Sequence, residues 1–145
     1  MEDRGLEHAV RRLISRASKL KHRRMHALLG QLGLHRGEPF VLHALWGRDG
    51  MAQSELAREL SRSPSTITKT VQRMEKAGLV ERRPDARDER VSHVYLTEVG
   101  REIRPAVEGV WRELNEELLR GFSVDEVALF HSFLLRVCRN IEAQS

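Results

Sequence analysis

One cysteine in 145 residues, Cys138, leaves the chain without an intramolecular disulfide and without a CxxC metal clip. No apolar run approaches the length that crosses a bilayer. The opening MEDRGLEHAVRRLISR has neither a continuous apolar segment nor a small-residue cleavage site, so no secretory signal is expected and the cytoplasm is the expected location. Internal repeats and low-complexity tracts are absent. So are the Walker and dinucleotide glycine fingerprints, HExxH and GxSxG. Scattered His, Ser and Asp do not make a triad, so an enzyme is not expected and no cofactor is implied.

What the chain does have is charge. Charged residues make up 32% of it against 40% hydrophobic, with a net charge of +4 and a pI near 9.8. That length and balance suit one globular core with extensions and a mild bias towards anionic partners. The distribution says more than the total. Residues 1–26 hold eight Lys/Arg against three acids, and residues 62–90 hold eight against five.

Apolar periodicity gives the order of elements. Leu6, Val10, Leu13, Ala17 and Leu20 recur at helical steps, predicting a long helix over residues 5 to about 30 that ends at GLHRGEP. FVLHALWGRDG is a short apolar helix stopped by glycines, and SELARELSRSPSTITKTVQRMEKAG is two helices separated by SRSP. LVERR and RVSHVYL read as two strands around the polar turn PDARDE. From Thr97, an expected N-cap, one helix runs on through Val99, Ile103, Val107, Val110, Leu114 and Leu118, bent by Pro105 inside it. Ser123 and Glu126 form a capping box before the last helix. The fold class is therefore mostly α with a small β-hairpin (α+β).

That last helix is apolar almost all round, with Val127, Leu129, Phe130, Phe133, Leu134, Leu135 and Val137, and must be covered on more than one face. One small core cannot cover both long terminal helices, so the first and last helices of two copies are expected to pack as a symmetric dimer. The alternative is a last helix folded across its own domain.

SPSTITKTVQRMEKAG carries the most chemistry. Ser63 caps and Pro64 opens a helix. Ile67, Val71 and Met74 face a core, and Ser65, Lys69, Gln72 and Lys76 lie opposite, with Thr66 and Arg73 on the flank and Thr68 nearer the boundary. Short hydroxyls at the start and cations farther along match what a helix entering the DNA major groove needs. Leu56, Ala57 and Leu60 make SELAREL the supporting helix. By itself the pattern also fits an ordinary amphipathic surface helix. The hairpin shifts the balance: DARDER packs Asp85, Arg87, Asp88 and Arg90 into six residues, acids alternating with the arginines they can orient for a narrow minor groove. A solvated cluster of surface ion pairs is the competing reading.

Taken together, SELAREL, SPSTITKTVQRMEKAGLVERRPD, DARDER and VYLTEVGREI resemble the MarR family of winged-helix transcription factors. The resemblance covers essentially the whole chain in length and helix order, and its motifs lie between about residues 40 and 104. It implies a winged helix-turn-helix DNA-binding domain over residues 35–97 and a helical dimerisation domain over 1–34 and 98–145. It further implies a homodimer on double-stranded, pseudo-palindromic operator DNA, acting as a regulator and more naturally a repressor, with release by a small effector. Ser65, Thr66, Thr68, Lys69 and Arg73 become the recognition-helix residues, with Ser63 at its cap. Arg90 is the first choice for the wing arginine and Arg87 the second, with Asp88 orienting. Two positions depart from the pattern. Ala52 stands where Ser or Thr often caps the supporting helix, so that helix either starts at Ser54 or is held less well. Arg62 occupies a turn position that is commonly apolar, where it adds a phosphate contact or marks a shifted turn. A winged helix that binds protein instead of DNA is the alternative function.

For an effector, Arg24 falls in line with the first helix's apolar stripe, with Arg12, Arg16, Lys21 and His22 nearby. These could bind a small anionic or aromatic acid against Trp46 or Trp111, or Arg24 could be solvated or paired with an acid. His22 and His26 share the i, i+4 spacing of metal ligands but lack a third ligand, so no metal is expected. Cys138 sits among apolar residues expected to hide it, which disfavours a thiol sensor.

Overall fold

The computed structural model describes residues 2–144, which divide after Trp111 into two compact units. The first holds helices α1 (Glu2–Gln31) and α2 (Glu38–Gly47), strand β1 (Met51–Ala52), and helices α3 (Gln53–Glu59) and α4 (Pro64–Lys76). Strands β2 (Val80–Pro84) and β3 (Ser92–Leu96) follow, then helix α5 (Glu98–Glu102). Helix α6 (Arg104–Leu118) runs across the division, and α7 (Val124–Glu142) lies in the second unit. No helix among the described residues is long and apolar enough to cross a membrane.

The core of the first unit is built from the apolar stripes of short elements. Val41, Leu42 and Leu45 from α2, Leu56 from α3, Ile67, Val71 and Met74 from α4, and Val80 and Val94 from the strands are all essentially withdrawn from water. Burying each such side chain contributes about 1.5–3 kcal/mol. The burial fixes the roll of α4: three withdrawn residues at i, i+4 and i+7 leave the helix only one way to face outward.

The sheet has three strands, not the two expected. It is antiparallel in the order β1-β3-β2, with Val80 opposite Leu96, Pro84 opposite Ser92, and Met51 opposite Val94. The added strand is only Met51 and Ala52, both buried. The Asp49 carboxylate sets it in place, its Oδ1 accepting from Gly50 N (3.0 Å) and from Leu96 N (2.8 Å). Gly50 takes φ +71° and a Cβ there would lie 2.6 Å from the Tyr95 ring, so any other residue would be strained and would have to displace that ring. Ala52 then precedes α3 without any side-chain cap, and α3 begins at Gln53 rather than Ser54.

The helix expected to bend at Pro105 is instead two helices. The break falls at Ile103, between α5 and α6. Continuing one helix through this point would set the proline ring against the carbonyl of Arg101 and leave that carbonyl without its donor. As the second residue of α6, Pro105 sits in the first turn, where the missing N–H costs nothing. Thr97 caps α5 as expected, accepting from Gly100 N at 3.1 Å.

Towards the chain ends, burial is uneven. Met25, Leu28 and Leu29 near the end of α1 are buried, whereas Leu6, Val10, Leu13, Ile14 and Leu20 earlier in it are exposed. Val107, Val110 and Leu114 are buried along α6. Helix α7 starts with the expected Ser123–Glu126 capping box and buries none of its residues within the chain. Cys138 is accordingly exposed, contrary to the expectation that its apolar neighbours would hide it. Those neighbours themselves face outward, so they form no pocket around the thiol.

Gly100 is buried, and a Cβ there would meet the Leu79 carbonyl oxygen at 2.1 Å. Gly100→Ala should therefore destabilise the protein by about 1–3 kcal/mol or more, as overpacking against rigid backbone does. Urea denaturation measures it, and an unchanged midpoint would contradict this packing.

Candidate nucleic-acid interface

The start of α4 is a cluster of hydroxyls. Ser63 Oγ accepts from Thr66 N at 3.2 Å and lies 2.8 Å from Thr66 Oγ1 and 3.2 Å from Ser65 Oγ. Pro64 opens the helix, as the sequence predicts. Ser65, Thr66, Lys69, Gln72, Arg73 and Lys76 are exposed. Thr68 is half-buried and its hydroxyl is occupied, donating to Pro64 O at 3.0 Å and accepting from Gln53 Nε2 at 3.1 Å. The outward face thus offers a hydrogen-bonded cluster of exposed hydroxyls at the helix tip, one half-buried threonine, and cations beyond. Arg62 is exposed in the turn before the helix, where Ser61 adopts φ +51° and Arg62 N donates to Ala57 O at 2.9 Å.

Arg73 is drawn to one side. Its Nη2 donates to Arg36 O at 3.2 Å and its Nε lies 3.8 Å from Glu38 Oε1. Glu38 is almost fully buried, and a buried carboxylate needs a counter-charge and donors. Arg73 and the His35 N–H, 2.9 Å from Glu38 Oε2, provide them. The arginine therefore fastens α4 to α2 as well as reaching the outer surface.

The wing is stiffened by its acids. Asp85 Oδ1 accepts from Arg87 N (2.8 Å) and Asp88 N (3.2 Å), closing the turn. Asp88 Oδ1 accepts from Arg90 N (3.1 Å) and Nε (3.0 Å), and Oδ2 from Arg90 Nη2 (3.2 Å). The paired bonds fix the plane of a guanidinium whose side chain is still 91% exposed. The Arg90 side chain, then its backbone N–H, hold the Asp88 carboxyl below the usual carboxylate range. Asp85 is lowered too, chiefly by the Arg87 N–H and next by His93. Arg87 itself is exposed.

Helix and wing are joined. Glu75 near the end of α4 accepts from Arg82 N (3.2 Å) and Nη2 (3.0 Å) on β2, and Arg82 lowers its pKa through both bonds. An open concavity of about 340 Å³ between the start of α3 and the wing is lined by Gln53, Ser54, Arg82, Arg90, Val91 and Ser92. Two cations and three small or amide polar groups there suit an anionic oxygen.

A three-stranded sheet, a supporting helix, an outward polar helix and an arginine-tipped hairpin compose a winged helix. The family model described as "MarR family" matches residues 34–92. Transcriptional regulator HosA of Escherichia coli is 33% identical over 90 residues, 62% of this chain and 67% of HosA. The chain belongs to the MarR family. The HTH-type transcriptional repressor IacR of Pseudomonas putida is 36% identical over 89 residues, 61% of this chain and 53% of IacR. Mutant E. coli MarR complexed with operator DNA superposes with a TM-score of 0.76 at 28% identity, covering 89% of this chain and 93% of that one. Its MarR-family relatives are transcriptional regulators, not enzymes, and so is this chain.

The residues expected to meet DNA therefore gather on two adjoining elements. Those expected to meet an effector do not gather in the same way. Arg12 and Arg16 line an open concavity of about 830 Å³ along α1 with Arg11, Lys19 and Arg23. Lys21, His22 and Arg24 are exposed elsewhere on that helix, with His22 Nδ1 2.7 Å from Ser18 O. Arg24 is thus not the buried cation its alignment with the stripe implied, because the buried positions pass to Met25, Leu28 and Leu29. Trp46 donates to Gly100 O at 2.9 Å and lies under the Arg104 guanidinium, and Trp111 is half-buried.

Sequence reasoning missed Gln53, Glu38, Glu75 and His93. Each acts across elements, by contacts that no local spacing encodes. Asp85 was visible in DARDER, but not its part in closing the turn.

Ser63 satisfies one amide at the tip of α4, so Ser63→Ala should lower stability by about 1 kcal/mol. A urea midpoint equal to wild type would show the cap to be dispensable.

Proposed function

We propose that the chain is a homodimeric, sequence-specific DNA-binding regulator, acting as a repressor, that lays α4 in the major groove and Arg90 in the flanking minor groove. The observation that carries this reading is the Asp88–Arg90 pair: a guanidinium held in plane by two bonds yet almost wholly exposed. A surface ion pair of that kind adds little stability. Preset for a ligand, it spares the rotamer entropy an unrestrained arginine would lose on binding. Ser63, Ser65, Thr66, Thr68 and Lys69 then approach base edges and phosphates, and Arg62, Arg73 and Arg87 flank them. The operator-bound MarR structure and the repressor IacR support the reading by likeness.

The dimer is supported by what the chain leaves uncovered. Leu129, Phe130, Phe133, Leu134, Leu135 and Ile141 of α7 are exposed, as is the apolar stripe of α1. A patch of that size belongs against another apolar surface, and two copies related by a two-fold axis supply one. Two copies of α4 spaced about 34 Å apart would then meet successive major grooves of a pseudo-palindromic site. Release by a small anionic effector is part of the same proposal, and the arginine-lined face of α1 is its candidate location.

Gel shifts on the chain's own upstream intergenic DNA test the first part. Binding should weaken steeply as salt rises, since several phosphates are neutralised per dimer. Arg90→Ala should weaken it by about 1–3 kcal/mol per subunit. Salt-independent binding, or an Arg90→Ala variant equal to wild type, would count against the groove contact. For the dimer, sedimentation of the Phe133→Glu/Leu134→Glu double variant should give a monomer that no longer shifts DNA. A double variant that stays dimeric would place the interface elsewhere.

A further inference from the structure

The wing turn is tied across the sheet by one imidazole. His93 on β3 sets Nε2 2.7 Å from Asp85 Oδ2 in the wing and Nδ1 2.9 Å from Gly50 O before β1. Both partners are acceptors with no proton to give, a carboxylate and a backbone carbonyl. A neutral imidazole has one N–H and can satisfy only one of them, whereas the imidazolium satisfies both. The same Asp85 closes the turn through Arg87 N and Asp88 N, and Asp88 in turn holds Arg90. The ring therefore stands at the base of the chain of bonds that ends at the wing guanidinium.

We propose that His93 is a positioning residue for DNA binding: its doubly donating ring anchors the 85–90 turn to the 49–50 turn, so that the wing is held when the ring is protonated and released when it is not. The inference rests on the DNA-binding reading above and adds a pH-dependent regulation of that site.

The groups around the ring favour the charged form. Asp85 faces it from the wing turn and Glu55 acts on it from α3, itself paired with Arg48. Arg83 stands opposite on β2, but its guanidinium lies over the Tyr95 ring and pairs with Glu81. Asp49 has its Oδ1 taken up by Gly50 N and Leu96 N, and β1 places only Ala52 opposite. The Asp85 bond first and the Gly50 bond second raise the His93 pKa above its ordinary 6.5, against a smaller opposing effect of burial. Asp85 is lowered and stays ionised throughout that range. The tie is complete below pH 6.5 and is lost as pH rises through the raised His93 value.

Wild type, His93→Gln and Asp85→Asn test this on the full chain. Asn at 85 keeps an oxygen for the Arg87 and Asp88 amides but removes the charge facing the ring, which separates loss of the tie from loss of the turn. Without DNA, NMR from about pH 5.5 to about pH 9 should show the His93 ring titrating above its ordinary value. Over the same step, exchange of the Arg87 and Asp88 amides, corrected for intrinsic base catalysis, should quicken by about two- to tenfold, the span of one net hydrogen bond. In both variants that step should be absent. With upstream DNA, wild-type affinity should fall by a similar factor beyond the change seen in either variant. A ring that titrates at or below 6.5, or wing amides indifferent to its titration, overturns the proposal. Should ring and amides behave as expected while no DNA is bound at any pH, the anchoring stands and it is the DNA reading that falls.

Discussion

Helix α4 can turn hydroxyls and cations outward because Ile67, Val71 and Met74 are withdrawn completely on its other side. The stripe is only two turns long, yet all of it is withdrawn from water as α4 packs against α2, α3 and β2, so the helix has a single stable roll. Rotating it by one residue would draw Lys69 or Gln72 towards that core and push a valine into water, a cost of several kcal/mol. Everything at the interface inherits its direction from this burial.

A second layer of order comes from carboxylates. Glu38 engages Arg73, Glu75 engages Arg82 and Asp88 engages Arg90, one acid for each arginine that links or tips an element. The Glu75–Arg82 and Asp88–Arg90 pairs lie at or near the surface, so their direct contribution to stability is small. Glu38, by contrast, is buried, and losing Arg73 would leave its carboxylate without a counter-charge. The effect that all three pairs share is geometric. Glu38 fastens α4 to α2, Glu75 fastens it to the sheet, and Asp88 fixes the wing tip, so helix and wing move as one body. That rigidity is what a surface needs if it is to fit two grooves at once without a large ordering cost.

Much of this was legible in the sequence. The helices, their caps at Ser63, Thr97 and Ser123, the stripe of α4 and the Asp88–Arg90 pairing all follow from residue types at local spacings. Strand β1 was not legible, because two residues cannot show an alternation and their partner lies some forty positions away. The break at Ile103 was hidden for a different reason: Val99, Ile103 and Val107 keep a four-residue step straight across it, so periodicity alone reads one helix. His93 and Gln53 gave no signal, since their partners Asp85, Gly50 and Thr68 belong to other elements. The exposure of Cys138 was not legible either, because apolar neighbours in sequence are not neighbours in space when the helix that carries them faces outward.

The contrast between the core of the first unit and α7 bears on how stability and function are coupled. The former is closed by its own residues. By comparison, α7 exposes its phenylalanines and leucines, and their apolar area contributes free energy only when another surface covers them. If that surface is a second copy, folding of the helix and association become one concentration-dependent equilibrium. The DNA-facing elements then keep their internal geometry whether or not the partner is present, while the distance between the two copies of α4 depends on how the terminal helices pack. A molecule that shifted that packing could release DNA without touching Arg90, Lys69 or any hydroxyl of the recognition face, because a bivalent contact is lost as soon as its two halves no longer fit the groove spacing.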